Sequence, residues 1–283
     1  MTEPSTFAPR PVRPRGWTAL TLATTAIGVA MAGAAGAGTI AAPAQGPETI
    51  WLAQTGGGEG GEGGEGGEGG SGQPADAIVE YLTDLGLVEG HLRAGVELYR
   101  NGAADQAMTH MKHPEDEIYA ELKPQLDAFG AEDFGPHLAA LADSVASGQP
   151  LTAVEAALAA VLHEIDEARE HSGAGEAEEA QAILALLRHA ADEYEEGVTN
   201  GAIAELHEYQ DAWGFLQTAR ALAAHMAGEA DAAEKSFGET ALAAIDDTAP
   251  GFPSIAPESA FGGDASLIHV AAAKVELAAY KLN

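Results

Sequence analysis

The stretch Ile78–Glu117, IVEYLTDLGLVEGHLRAGVELYRNGAADQAMTHMKHPEDE, decides the fold. Ile78, Leu82, Leu85, Leu92, Val96 and Tyr99 recur at helical spacing, and Asn101-Gly102 stops the run. Ala103 to Met111 forms a second short helical pattern, and Pro114 opens a third. The same stretch carries ligand chemistry. His91 lies among Leu87, Val88, Ala94, Gly95 and Leu98, where Gly90 and Gly95 admit another backbone. An imidazole so placed is either satisfied by one or two hydrogen bonds or is a ligand. Glu89 falls near the Leu82–Leu92 stripe, so its carboxylate demands a partner. Met108, His110, Met111 and His113 follow, and then Glu115, Asp116 and Glu117. Imidazole, thioether and carboxylate together can hold a transition metal without any thiolate; thioether suits Cu(I) and imidazole Cu(II). The competing reading has Met108 and Met111 packing and the acids complementing a helix dipole.

Working outward, the pattern stays helical and nothing reads as a strand. One helix ends near Phe129-Gly130, another spans Asp133 to Ser147, and Leu151, Val154, Leu158, Val161 and Ile165 form one stripe of the next. Gly173–Gly175 breaks the chain. Ala177 to Val198, Ile203 to Ala227 and Ala230 to Ile245 follow, then a Pro/Gly-rich loop to Ala265 and a last helix from Leu267 to Leu282. Ala-rich helices on short turns define an all-α fold, a helical bundle or a helical-hairpin array. Its expected division is two packed subdomains, 73–172 and 173–283. Gly95, Leu98, Gly102, Ala107 and Met111 partly match tetratricopeptide spacing, but Pro114 arrives early and no third copy follows.

Residues 1–44 read as a segment for export. Arg10, Arg13 and Arg15 precede an apolar run from Trp17 to Gly38, and Ala42-Pro43-Ala44 suits a signal peptidase. The run is also close to the roughly 20 residues of a membrane span, so a retained anchor is the alternative. Either way the remainder is placed outside the cytoplasm, in the periplasm, and any membrane contact is made through this segment. Residues 45–72 read as a flexible linker, with Glu59, Glu62, Glu65 and Glu68 spaced through glycine. Against 44 acids stand 13 Lys and Arg, a net charge of −31. That field repels nucleic acid and gathers cations. No cysteine is present, so neither a disulfide nor a thiolate site can form.

Enzyme motifs are missing. His163-Glu164 and His207-Glu208 each begin like a zinc-peptidase motif, but the residue four beyond the histidine is Glu167 or Asp211. No Glu stands three residues before any histidine, as a di-iron bundle would require. The chain is read as a non-enzyme. Ala191 to Ala219, ADEYEEGVTNGAIAELHEYQDAWGFLQTA, carries Tyr194, Gly201, Glu208, Tyr209, Asp211 and Phe215. It resembles a segment of exported helical domains associated with oxidase-dependent iron permeases. Imelysin-type periplasmic iron proteins are similar in helical class, but their Gly-x-His-x-x-Glu motif is missing here. The resemblance implies a role near iron or copper acquisition, with an inner-membrane metal transporter or a periplasmic protein as partner.

The expected function is therefore binding or delivery of copper or iron in the periplasm. The ligands would come from His91, Met108, His110, Met111, His113, Glu115 and Glu117, with Glu208 and Asp211 in a second site. The alternative is a non-catalytic, tetratricopeptide-like helical scaffold that mediates protein–protein interaction. Mass spectrometry of protein from its native cells should find a mature N-terminus near Gln45; an intact Met1 on a membrane-bound product would replace the signal with an anchor.

Overall fold

The computed structural model describes residues 75–114 and 118–282. The export segment, the Gly56–Gly72 tract, Glu115 and Glu117 lie outside them. The helices in chain order are α1 (Ala75–Arg100), α2 (Ala104–His113), α3 (Tyr119–Phe129), α4 (Gly135–Ala146) and α5 (Leu151–His171). Then come α6 (Glu176–Gly197), α7 (Leu206–Gly228), α8 (Ala232–Asp246) and α9 (Ser266–Ala279). Two helix boundaries show their local cause. Gly102, at φ +80°, takes the left-handed turn that ends α1, and the Ala103 N–H donates back to the Leu98 carbonyl at 2.9 Å. At α8 the Asp231 side chain accepts from the N–H groups of Ala233 and Glu234, as an N-cap should.

One expectation fails on a small scale. Val198–Thr199 and Ala202–Ile203 pair antiparallel around Asn200-Gly201, both of which have positive φ. Two residues per strand are too few to show alternation, but Asn-Gly is itself the turn chemistry of a tight hairpin. The hairpin delays the start of α7 from the expected Ile203 to Leu206.

Helices α6 to α9 form a closed bundle: α6 packs on α7 and α9, and α8 packs on α7 and α9. A hairpin array would leave its first and last helices apart. The bundle has its own apolar cluster, built on Ile183, Leu187, Tyr194, Phe215, Phe237 and Val275. A second cluster comes mainly from α1 to α5, with Tyr81, Leu85, Leu92, Leu122, Leu141 and Ile165. Leu87 of α1 reaches the first cluster and Trp213 of α7 reaches the second, so α1 and α7 form the seam. In keeping with that place, α1 is buried on nearly every side from Tyr81 to Leu98. No helix among the described residues is long and apolar enough to cross a membrane.

The polar residue on α1 that demanded a partner has two. Glu89 is buried, and its oxygens meet Arg93 at 2.5 Å and Arg169 of α5 at 2.5 Å. Burial opposes its ionisation, but Arg169 and Arg93 outweigh that cost and hold the carboxyl below its ordinary range. The side chain of Arg169 is itself only 14 % exposed. Glu89→Ala should therefore cost about 3 kcal/mol in urea unfolding, because it takes from buried Arg169 its buried partner and leaves it only the exposed Asp166 carboxylate at 2.8 Å. Replacing Glu89 and Arg169 together with Met should recover much of that loss. The sign of the pH effect follows from a depressed carboxyl. Its stabilisation is complete above the unfolded value near ~4.3 and disappears as pH falls through the lower folded value. Melting of Glu89→Ala should lose that part of the acid sensitivity.

Candidate metal centre

Two close helix crossings build the site. At the first, α1 meets α7 backbone to backbone. A Cβ on Gly214 would overlap the Gly90 carbonyl, and one on Gly90 would overlap the Phe215 ring. At the second, α2 lies on α1 at Gly95, where a Cβ would strike the end of Met111 and come within 3.3 Å of the His110 Cβ. Gly90 and Gly95 flank His91. Their missing side chains let Asp211 of α7 and His110 of α2 reach it.

Asp211 is the centre of the cluster. Its Oδ1 lies 2.6 Å from His91 Nδ1 and 2.9 Å from His110 Nδ1. Its Oδ2 lies 3.1 Å from His207 Nδ1, one helical turn earlier on α7. Glu208 Oε2 is 3.6 Å from the same nitrogen. His110 is fully buried, and His91 and Asp211 nearly so. The His110 and His207 rings stack at 4.4 Å with their planes 11° apart, and His91 stands edge-on to Phe215. Burial opposes a charge on Asp211, but the hydrogen bonds from His110 and His91 outweigh it and hold the carboxyl well below the usual range. A cavity of 220 Å³ opens beside the cluster, lined by His91, His189, Glu193, Glu208, Asp211 and Phe215. In it Glu193 is pushed up to about 8, first by burial and then by its hydrogen bond to Glu208.

Gln210 settles which nitrogen of His110 faces Asp211 with a free lone pair or a shared cation. The Gln210 amide NH2 donates to Gln106 Oε1 at 2.9 Å and to the Ile255 carbonyl at 3.3 Å. Both partners are acceptors, so the amide oxygen is the end that meets His110 Nε2, at 2.9 Å. Nε2 therefore carries a proton, whatever Nδ1 holds. Nδ1 then faces the carboxylate at 2.9 Å. A bare lone pair there would repel Asp211. A proton or a metal cation between them removes the repulsion. Ligating histidines characteristically donate their other N–H to an oxygen, which fixes the tautomer and the ring.

His91, His110 and Asp211 thus come together, with Glu208 at the rim. The sequence reading put Asp211 with Glu208 in a separate site; the α1–α7 crossing instead carries Asp211 between the two histidines. Met111 packs against Gly95 and Met108 joins the cluster of α1 to α5. His113 is the last residue of α2. His207, Gln210 and Glu193 were missed as site residues. The i,i+4 pair of His207 and Asp211 was a usable signal, since both lie on one face of one helix. In the sequence alone His207-Glu208 reads only as a failed zinc-peptidase motif. His163 and His171 are exposed on α5, away from the cluster.

The comparisons with known proteins bear on the second half of the chain. Residues 172–281 match the model of the iron permease-associated 4-helix bundle domain. That span takes in α6 to α9 whole, and the motif from Tyr194 to Phe215 lies within it. It links this half of the chain to iron permease systems. No curated protein and no solved structure matches the chain.

The crossing can be tested without any metal. Gly214→Ala should destabilise the protein by about 1–3 kcal/mol, because the added carbon overlaps the Gly90 carbonyl, which is backbone and cannot swing aside. Gly228→Ala, at the last residue of α7 where nothing lies within 4 Å, should instead stay within about 0.5 kcal/mol of the wild type. Equal effects in urea unfolding would contradict the close approach.

Proposed function

We propose that this is an exported binding protein for a transition metal ion, iron before copper, which it delivers to an inner-membrane transporter. His91, His110 and Asp211 hold the ion, with His207 and Glu208 at the entrance. The observation that carries this is the orientation of Gln210, which leaves His110 Nδ1 turned toward the carboxylate of Asp211. Two imidazoles and one carboxylate are the donor set of many non-haem Fe(II) sites. The iron permease-associated bundle supports iron over other metals of similar ligand preference. Copper in its Cu(II) form suits the same nitrogens. Cu(I) would ask for the thioethers, and Met111 is spent on packing against Gly95.

The chemistry is capture and release, and the chain acts as a carrier with no reaction of its own. The acid-lined cavity beside the cluster draws cations inward. What the residues do is orient. Gln210 holds His110 in one tautomer, Phe215 sets the His91 ring edge-on, and the buried carboxylate supplies the charge.

Calorimetry on the metal-free full chain with Fe(II) under anaerobic conditions, and with Cu(II), tests the reading. Asp211→Asn keeps the shape and should weaken binding by more than about 100-fold, since it removes the only buried anion of the set. Gln210→Leu should weaken it by about 10–100-fold through loss of ring orientation. His163→Ala should leave it unchanged. Wild-type protein that binds neither ion, or an Asp211→Asn variant that binds as well as wild type, would overturn the proposal.

A further inference from the structure

We infer that the centre takes two metal cations, with the Asp211 carboxylate as the bridge between them. This rests on the reading of the cluster as a metal centre and goes further by assigning each donor to one of two positions. The two oxygens of Asp211 serve different histidines. Oδ1 meets His91 and His110, and Oδ2 meets His207. Within His91, His110 and Asp211, one donor atom from each lies within 4.8 Å of the others; the same holds for His207, Glu208 and Asp211. Asp211 alone belongs to both sets.

Ring geometry separates the positions. An imidazole nitrogen binds a cation along its lone pair, which lies in the plane of the ring. His110 and His207 are stacked face to face, with centroids 4.4 Å apart and planes only 11° from parallel. Two planes so arranged do not meet near the rings. One cation cannot lie in both, so His110 and His207 serve different ions. The inner position has two imidazoles and Asp211 Oδ1, with His110 fully buried and His91 5 % exposed. The outer position has the His207 imidazole, Asp211 Oδ2 and the Glu208 carboxylate, with side-chain exposures of 24 % for His207 and 32 % for Glu208. Glu193, hydrogen-bonded to Glu208, stands behind it in the cavity. The outer set is richer in carboxylate and wetter, and the inner set is richer in imidazole and drier. The class of ligand is a pair of first-row transition cations, the outer position favouring the harder, more highly charged ion.

Cu(II) is the probe, because its electron spin reports both number and proximity. Metal-free full-length protein should bind two equivalents. Its paramagnetic resonance spectrum should integrate to fewer than two spins, or show a half-field line, because a shared carboxylate couples the ions. A His207→Ala, Glu208→Gln double variant should bind one equivalent with an uncoupled spectrum. Both changes lie at the partly exposed rim, and helical circular dichroism checks that the fold survives. Asp211→Asn, which removes the one donor common to both sets, should weaken binding at both positions together, where His207→Ala with Glu208→Gln weakens only one. One equivalent in the wild type, unchanged in the double variant, would overturn the pair while leaving a single-ion site standing. Two equivalents with no coupling would overturn the bridge. No Cu(II) bound, together with no Fe(II), would sink the metal reading itself.

Discussion

The structure depends on a contact with no side chains in it. Where α1 crosses α7, Gly90 and Gly214 leave two backbones touching, and any larger residue at either place would hold the helices apart. That crossing joins a four-helix bundle to the helices that precede it. It also places a carboxylate from one side of the seam against histidines from the other. Packing and chemistry are thus set by the same two glycines. Glycine costs helix stability relative to alanine, about 0.5–1 kcal/mol at each interior position. The chain bears that cost where it brings His91 to Asp211.

The seam also explains why α1 carries two buried polar systems. Glu89 turns toward α5 and finds Arg169, while His91, two residues on, turns toward α7 and finds Asp211. In the first system the carboxylate is matched by two guanidinium groups. The second gathers three imidazoles around one carboxylate, with Glu208 and Glu193 in reserve at the rim. One is a structural ion pair and the other has the composition of a ligand set. They share a helix because α1, buried on nearly every side, packs against α5 on one face and α7 on another.

The helices were legible because their ends are written locally. Asn101-Gly102, Gly130 and Gly173 each mark a helix stop, and Asn200-Gly201 a hairpin turn, because glycine takes the left-handed conformation that ends a helix or closes a turn; the spacing of Leu and Ala between them does the rest. His91, His110 and Glu89 were legible for a related reason. A polar residue amid apolar helical neighbours must be satisfied, whatever satisfies it. Asp211 was recognised as a candidate, but its company was not, because the α1–α7 crossing joins residues more than a hundred positions apart. The stacked His207 was lost to too narrow a question, whether a second histidine stood four residues on. Gln210 gave no signal at all. A glutamine becomes informative only when its donors are counted against the acceptors around it, and that requires coordinates. The iron permease resemblance, in turn, rested on Tyr194, Tyr209 and Phe215, which are core residues of the bundle. They marked the right family span through packing, beside the two acids that bear on the site.

The long loop between α8 and α9 is tied down at several points. Tyr194 donates to the Gly251 carbonyl at 2.9 Å and Tyr209 to the Ser254 carbonyl at 2.6 Å, while the Gly201 carbonyl accepts from Phe261 and Gly262. The next carbonyl along, that of Ile255, is one of the two that hold the Gln210 amide. A main-chain atom of a loop, 45 residues away in sequence, thus helps choose which nitrogen of His110 bears a proton. In engineering terms, this loop is a poor place to insert a tag or exchange a segment, although it lies outside every α-helix. An insertion there could spare the bundle's melting temperature and still release the glutamine to rotate, silencing the centre in a protein that looks intact by every measure of folding.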